Sequence, residues 1–263
     1  MAESTGILLC DAEDNDLTPF TVVEEGGNEV SIVAGAAAHG SLGYRFTFDG
    51  QAGDNNCYFY EDFTSGSDIY IRQYFKFSSD FDADALGYFS MLTHYYDSGN
   101  YCLYVRAVHN GTTFLLNRVY YITNAGVQSI NLTATAITLD TLHYIEGRYK
   151  SGNGDGAVEV WYDGTLIASA YNLTNDNYET SYVFVGNLQS LVPVAGCYVD
   201  IDDAKVDSSY IGAYADVGGT VYPKICISED WKDISAMYIC ISEVWKEITE
   251  LNICISESWK DLV

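Results

Sequence analysis

The sequence predicts an all-β protein built as a sandwich of two antiparallel sheets, and three observations carry that expectation. The chain of 263 residues holds 23 Tyr, 23 Gly and only 3 Pro, a composition that suits strands joined by tight turns better than helices. Short runs alternate between apolar and polar residues and are separated by clusters of Gly, Asn, Asp and Ser, the period of a half-buried strand. Asp163-Gly164 stands between two such runs, the strongest short signal for a two-residue hairpin.

Taken in order, "DIYIRQYFKF" places Ile69, Ile71, Gln73, Phe75 and Phe77 on one side and Tyr70, Arg72, Tyr74 and Lys76 on the other. "LHYIEGRYK" sets Ile145, Gly147 and Tyr149 against Tyr144, Glu146 and Arg148. "AVEVWYDGTLIASA" reads as two strands around the Asp163-Gly164 turn. Each run has one face for a core and one that is aromatic and charged, the pattern of two packed sheets.

Composition bounds the function classes. A hydrophobic content of 48% is enough for a sizeable core, and a formal charge of −25 repels a phosphate backbone, which argues against nucleic acid as a partner. The opening "MAESTGILLCDAEDND" has no basic region and only a short apolar run, so neither a secretory leader nor a membrane span is expected. Seven cysteines, Cys10, Cys57, Cys102, Cys197, Cys226, Cys240 and Cys254, form no C-x-x-C pair, and the odd count argues against a disulfide framework or zinc site. They read as small buried thiols of a chain made in a reducing cytoplasm. Sequons at Asn110, Asn131 and Asn172 are unremarkable in a chain rich in Asn and Thr.

"LHYIEGRYKSGNGDGAVEVWYDGTLIASAYN" resembles the central hairpins of the concanavalin A-like, laminin-G-like jelly roll, where a strand, a Gly/Asp loop, a second strand and a "DG" turn follow in this order. "GILLCDAEDND", "AAAHGSLGYRF" and "VGNLQSLVPVAGCYVDIDDAKV" are similar to its first and last strands. The resemblance spans residues 5–212, a match of pattern and turn placement that implies a fold more than a function. The expected organisation is therefore a jelly roll over 1–212, a small-residue linker over 213–223, and a module over 224–263.

That module writes one fourteen-residue unit almost three times, aligning Ile225, Ile239 and Ile253, Ile227, Ile241 and Ile255, and Trp231, Trp245 and Trp259. Within a unit "ICIS" alternates as a strand, a polar turn follows, and "WK" opens the return, so each unit is expected to be a short hairpin. A helix begun at "SEDWKDIS" is the alternative, opposed by the β-branched "ICI" runs. A lone hairpin this small is marginal in water, so the nine Ile and Trp positions are candidate assembly residues. The units resemble terminal repeats of phage tail and other virion proteins, with "SE" where Gly-Gly is usual.

Enzymes share the jelly roll, and each kind carries its own catalytic pattern. Glycoside hydrolases of this fold use E-x-D-x-E, whereas "YVDIDDAKV" offers only Asp200 and Asp202 in that alternation. Its polysaccharide lyases use Q-I-H or Q-V-H and "YFKxGxYxQ"; here "YFKFSSDF" begins alike and then departs. The expectation is that the chain is not an enzyme. His39, His94, His109 and His143 lack metal-ligand spacing. The resemblance implies a glycan groove on which Arg72, Tyr74, Tyr104, Arg106, Tyr144, Glu146, Arg148 and Trp161 lie together, with aromatic faces for sugar rings and charged groups for hydroxyls. A sheet merely coated with solvated Tyr and Arg is the alternative. It also implies a structural Ca²⁺ held by Asp11, Glu13, Asp202 and Asp203, against a solvated acidic cluster.

The expectation drawn from these resemblances is a virion structural protein assembled in the host cytoplasm, a phage tail fibre or surface appendage. A glycan-binding jelly roll would face outward and the repeats would join copies of the chain, a trimer favoured, or attach it to other virion proteins. A carbohydrate-active enzyme, lyase or glycoside hydrolase, and a purely structural decoration subunit are the alternatives.

Overall fold

A computed structural model describes residues 7–10, 12–50, 56–81, 88–97, 100–109, 113–187 and 195–213, and four strands beyond them. The strands are β1 (Leu8–Cys10), β2 (Thr21–Glu24), β3 (Glu29–Val33), β4 (Gly43–Thr47), β5 (Cys57–Gly66), β6 (Asp68–Phe77), β7 (Tyr88–Asp97), β8 (Asn100–His109), β9 (Phe114–Thr123), β10 (Gly126–Ala136), β11 (His143–Lys150), β12 (Asn153–Tyr162), β13 (Thr165–Thr174), β14 (Thr180–Asn187), β15 (Tyr198–Asp207), β16 (Tyr238–Ile241), β17 (Val244–Glu247), β18 (Asn252–Ile255) and β19 (Ser258–Asp261). The chain divides into two compact units, Met1–Asp216 and Val217–Val263. Among the described residues no helix is long and apolar enough to cross a membrane.

The first unit is a jelly-roll sandwich of two antiparallel sheets. One runs β13-β12-β11-β6-β15-β4-β3, with β1 also on β15, and the other runs β10-β9-β8-β7-β14-β5-β2. The alternation read from "DIYIRQYFKF" holds, since Ile69, Ile71, Phe75 and Phe77 are buried in the core between the sheets. Gln73 shares their side and is satisfied there, its Nε2 donating to the Phe184 carbonyl across the sandwich at 2.9 Å, as a buried amide requires. Phe77, Phe81, Phe89 and Phe114 meet edge to face or tilted, Phe77 and Phe81 at 4.5 Å between centroids, the arrangement that aligns ring edges with π faces.

Turn chemistry explains the joints. Asp163 and Gly164 take φ of 46° and 77°, the paired left-handed values of a two-residue hairpin turn. Cys10, Cys57, Cys102 and Cys197 are buried, and burial pushes the Cys57 thiol up to about 12, so it stays protonated and packs as a small apolar group.

In the second unit the strands form two hairpins, β16 with β17 and β18 with β19. Their registers repeat: Cys240 faces Trp245 and Cys254 faces Trp259, with Ile239 opposite Lys246 and Ile253 opposite Lys260. The first repeat, with Ile225, Ile227 and Trp231, lies outside the described residues, as does the linker beyond Ala213.

Candidate functional site

The eight residues expected to share one groove lie on two different sheets. Arg72 and Tyr74 are on β6, Tyr144, Glu146 and Arg148 on β11, and Trp161 on β12, all in one sheet, whereas Tyr104 and Arg106 are on β8 in the other. The six on the first sheet are engaged by other parts of the chain. Arg148 is chelated by Asp68 through Nε and Nη2, both at 2.7 Å, and its Nη1 donates to Glu159 at 2.6 Å. Arg72 and Glu146, directly opposite on β6 and β11, are each 0% exposed. The segment Ser208–Gly212 covers them: Arg72 Nη1 donates to the Gly212 carbonyl at 3.0 Å, and the Ile211 and Gly212 amides donate to Glu146 at 2.7 and 2.8 Å. Burial pushes the Glu146 carboxyl up, opposed by those two amides and by Arg72. Tyr210 of the same segment packs on Trp161 at 5.0 Å. Placing Arg72 and Glu146 in an open groove is therefore a correction, because both are fully buried beneath backbone that bonds to them.

The outer face of the second sheet is different. Registers carry one row of residues across five adjacent strands: Tyr120 on β9 faces Tyr104 on β8, which faces Thr93 on β7, which faces Phe184 on β14, which faces Tyr60 on β5. Four strand spacings make this row ~19 Å long. Tyr104 and Tyr120 stack at 4.7 Å with an interplanar angle of 12°, Tyr101 stands edge-on to Tyr104 at 4.6 Å, and Tyr60 stacks on Phe184 at 5.0 Å. Tyr104 and Phe184 are buried within the row, and the half-buried Tyr60 and Tyr120 are the rings a sugar could reach.

Beside that row runs a second one: Asn131 on β10 faces Arg118 on β9, which faces Arg106 on β8, which faces Ser90 on β7. Like charges directly opposite on neighbouring strands cost stability, yet both guanidiniums take only neutral partners among the described residues. Arg106 Nε donates to Asn117 Oδ1 at 3.1 Å, Arg118 Nε to Asn131 Oδ1 at 2.8 Å, and Arg118 Nη1 to Tyr120 Oη at 3.1 Å. Arg106 also lies 5.4 and 5.5 Å from the Tyr88 and Tyr120 rings. Ser90, on the same face, is 1% exposed and its hydroxyl has no hydrogen-bond partner. In a chain with 37 acids and 12 Lys plus Arg, two adjacent arginines without a carboxylate partner among the described residues have the chemistry to receive an anion.

Bulges build this arrangement. Leu92 takes φ of 47° where the β7–β8 register shifts between Met91 and Thr93, so Met91 and Leu92 both enter the core and Thr93 falls into line with Tyr104. A second shift between Arg106 and Ala107 leaves Asn117 as the extra residue of β9, where it accepts from Arg106. Bulges of this kind re-aim side chains next to sites. Tyr60, Arg118, Tyr120 and Phe184 were missed in the sequence; the alternation of "CYFYED", "NRVYYI" and "YVFVGN" could have suggested them, but alternation does not say which sheet a strand joins.

The implied Ca²⁺ ligands do not fit a cation. Glu13 accepts from the Ser41 and Leu42 amides at 2.6 and 2.8 Å, and Asp202 Oδ2 accepts from Ala38 and His39 amides at 2.8 and 3.2 Å. Asp203 is hydrogen-bonded to His39 Nδ1. Asp202 and Asp203 pin the loop over 37–42 to β15 and Glu13 ties it to the turn after β1, Asp11 lies outside the described residues, and among the described residues no three His, Cys, Asp or Glu converge on a metal position.

Burial, with the neighbouring Asp203 charge, pushes Asp202 up to about 7. A carboxyl raised above its unfolded value of 3.8 favours the fold below that value and loses the benefit as pH rises toward 7. Asp202→Asn is expected to flatten this slope, gaining stability over the wild type on the order of a few kcal/mol by pH 8. Urea midpoints at pH 5 and pH 8 read it, and an equal pH dependence in the two proteins would refute the assignment.

No family model matches the chain, and no curated protein does. Solved structures do. An endo-β-1,4-glucuronan lyase from the fungus Trichoderma reesei is similar over 78% of this chain and 96% of its own, with 16% identity and a TM-score of 0.58. A cellulose-induced protein, Cip1, is similar over 79% of this chain and all of its own, with 16% identity and a TM-score of 0.55. The fold is shared with a polysaccharide lyase. The expectation that the chain is not an enzyme, drawn from the missing E-x-D-x-E and Q-x-H patterns, is thereby overturned: an enzyme stands on this fold over nearly its whole length. A sialidase is similar over 78% of this chain but only 19% of its own, with 9% identity and a TM-score of 0.51. None of these three is a virion protein by its description.

Proposed function

We propose that the chain binds a polysaccharide whose sugars carry carboxylate groups, on the outer face of the seven-stranded sheet, and cleaves it by β-elimination. The observation that carries this reading is the pair Arg106 and Arg118, opposite each other and without a carboxylate partner among the described residues, beside a row of aromatic rings. The shared fold of the glucuronan lyase supports it. The carbohydrate-active reading has more support than the virion reading, which rests on the likeness of the terminal repeats alone.

The chemistry follows from the groups present. A guanidinium fork bonded to a uronate carboxylate withdraws charge and acidifies the neighbouring C5–H. Burial raises the Tyr104 hydroxyl above its ordinary value, so it remains protonated and serves as the donor to the leaving O4. Tyr120, whose oxygen accepts from Arg118, receives the C5 proton as a phenolate, its own proton already given up to solvent and its charge paired with the Arg118 guanidinium. The C5–H and C4–O4 bonds break, a C4=C5 double bond forms, and no water is consumed.

Incubation with polymers of glucuronate, mannuronate and guluronate tests the reaction. One of them should yield shortened chains with the ultraviolet absorbance of a double bond conjugated to a carboxylate, and Tyr120→Phe should abolish it while keeping binding. Shortening without that absorbance, or none with any uronate polymer, would remove the proposal.

The repeats support a second part of the reading. We assign residues 224–263 to association, joining copies of this chain or attaching it to a larger assembly such as a virion; a chain ending at Tyr222 with the full chain's oligomeric state would contradict that.

A further inference from the structure

The two sheets of the jelly roll end very differently on their two sides. On one side the terminal strands are β2 and β3, four and five residues long, and they carry Glu24 and Glu29 with Glu25 between them. Short, charged edges of this kind deter pairing with another chain. On the other side the terminal strands are β10, "GVQSINLTATA", and β13, "TLIASAYNLT". They are eleven and ten residues long and contain no charged residue and no Pro, in a chain where 19% of residues are charged. Val127 on β10 is 52% exposed, and Leu166 and Tyr171 on β13 are 46% and 53% exposed. The two edges lie side by side, the Asn124 amide donating to the Thr174 carbonyl at 2.9 Å.

We infer that β10 is where a second copy of this chain pairs, antiparallel about a two-fold axis, so that two seven-stranded sheets become one continuous sheet. Charge selects the occupant. Two particles of formal charge −25 approach each other at lower cost along strands that carry no carboxylate, as β10 and β13 do, although Asp176 stands at their junction on Asn124. An antiparallel strand is its own complement about a two-fold axis, so one edge suffices for a closed dimer. β13 suits the role less: its register shifts at both ends of Ala168–Tyr171, whereas β10 keeps one register over Gly126–Asn131 before its shift.

The pairing has a consequence for the site face. Val127, Ser129 and Asn131 face Ile122, Tyr120 and Arg118 on β9, so they share the face that carries the aromatic row. Across β9, β10 and the two copies' counterparts, three strand spacings separate one Arg118 strand from the other by ~14 Å. The two polar rows would then form one platform long enough for an extended polymer. The dimer itself rests on the edge alone, so it survives if the polymer assignment fails.

The test is the solution mass of the full chain by light scattering, beside the double variant Val127→Glu, Ser129→Glu, with hydrogen exchange of the wild type at two concentrations. Wild-type mass should be an even multiple of the chain, the variant's should fall twofold, and amides of Gly126–Asn131 should exchange more slowly at the higher concentration. A wild-type monomer, which would leave the rim to a different protein, or an undiminished mass in a folded variant, overturns the inference. So does exchange at Gly126–Asn131 that is independent of concentration, and this reading stands even where the variant does not fold.

Discussion

Arg106→Ala is expected to weaken binding of a uronate polymer about ten- to hundredfold, with Arg118→Ala close behind. A hydrogen bond to a charged group contributes ~1.5–3 kcal/mol, and each 1.4 kcal/mol is about tenfold in affinity. The fold should feel the change little, because Arg106 sits on an outer face, hydrogen-bonded to Asn117 and lying over the rings of Tyr88 and Tyr120. Removing it even relieves the like-charge pairing with Arg118. Arg106→Lys should recover only part of the loss, since an ammonium keeps the charge but not the two-pronged geometry. Affinity electrophoresis in gels containing the polymer, with thermal unfolding alongside, separates the two effects. Unchanged mobility of both alanine variants would take the arginines out of the site.

The largest stability effect is expected at the opposite sheet. Arg72→Ala leaves the Glu146 carboxylate buried without its facing cation, and breaking a buried pair by removing one partner costs about 3–5 kcal/mol. It also releases the Gly212 carbonyl that Arg72 holds, loosening the segment that covers the sheet. With a slope of about 3 kcal/mol per molar urea, the unfolding midpoint should drop by roughly 1–2 M. The same variant should bind polymer as the wild type does, because Arg72 is on the sheet away from the paired arginines. A midpoint shift below a few tenths of a molar would mean that Glu146 is neutral in the fold and needs no cation.

These two arginines show what could be read from the sequence and what could not. Alternation set Arg72 on the polar side of its strand, while Arg106 came only from the resemblance, and the Asp163-Gly164 turn and the fourteen-residue repeat marked hairpins that the registers contain. Sheet membership is a long-range property that no local period encodes. β6 pairs with β11 and β15, and β8 with β7 and β9, so two residues with the same local pattern face opposite sides of the molecule. The cover over Arg72 and Glu146 comes from Ile211 and Gly212, 65 and 66 residues along the chain from Glu146, at the far end of the stretch read as jelly roll. The bulges at Leu92 and Asn117 break the period of two just where the site is built. A strict alternation counted through Leu92 misplaces every residue after it, and that is why Thr93 joining the row was not legible. The carboxylates of Glu13, Asp202 and Asp203 read as ligands because acidic residues alone do not reveal that backbone amides bind the first two and the His39 ring the third.

The central claim is that an arginine pair on an aromatic face selects a carboxylated polymer for an otherwise acidic protein. It is tested most directly by calorimetric titration of the full chain with uronate oligosaccharides and with the same oligosaccharides after reduction of their carboxyl groups to alcohols. Heat of binding for the first, weakening with salt as an exposed ion pair does, and none for the second is the predicted result. Equal binding of both, or binding of neither, would contradict it.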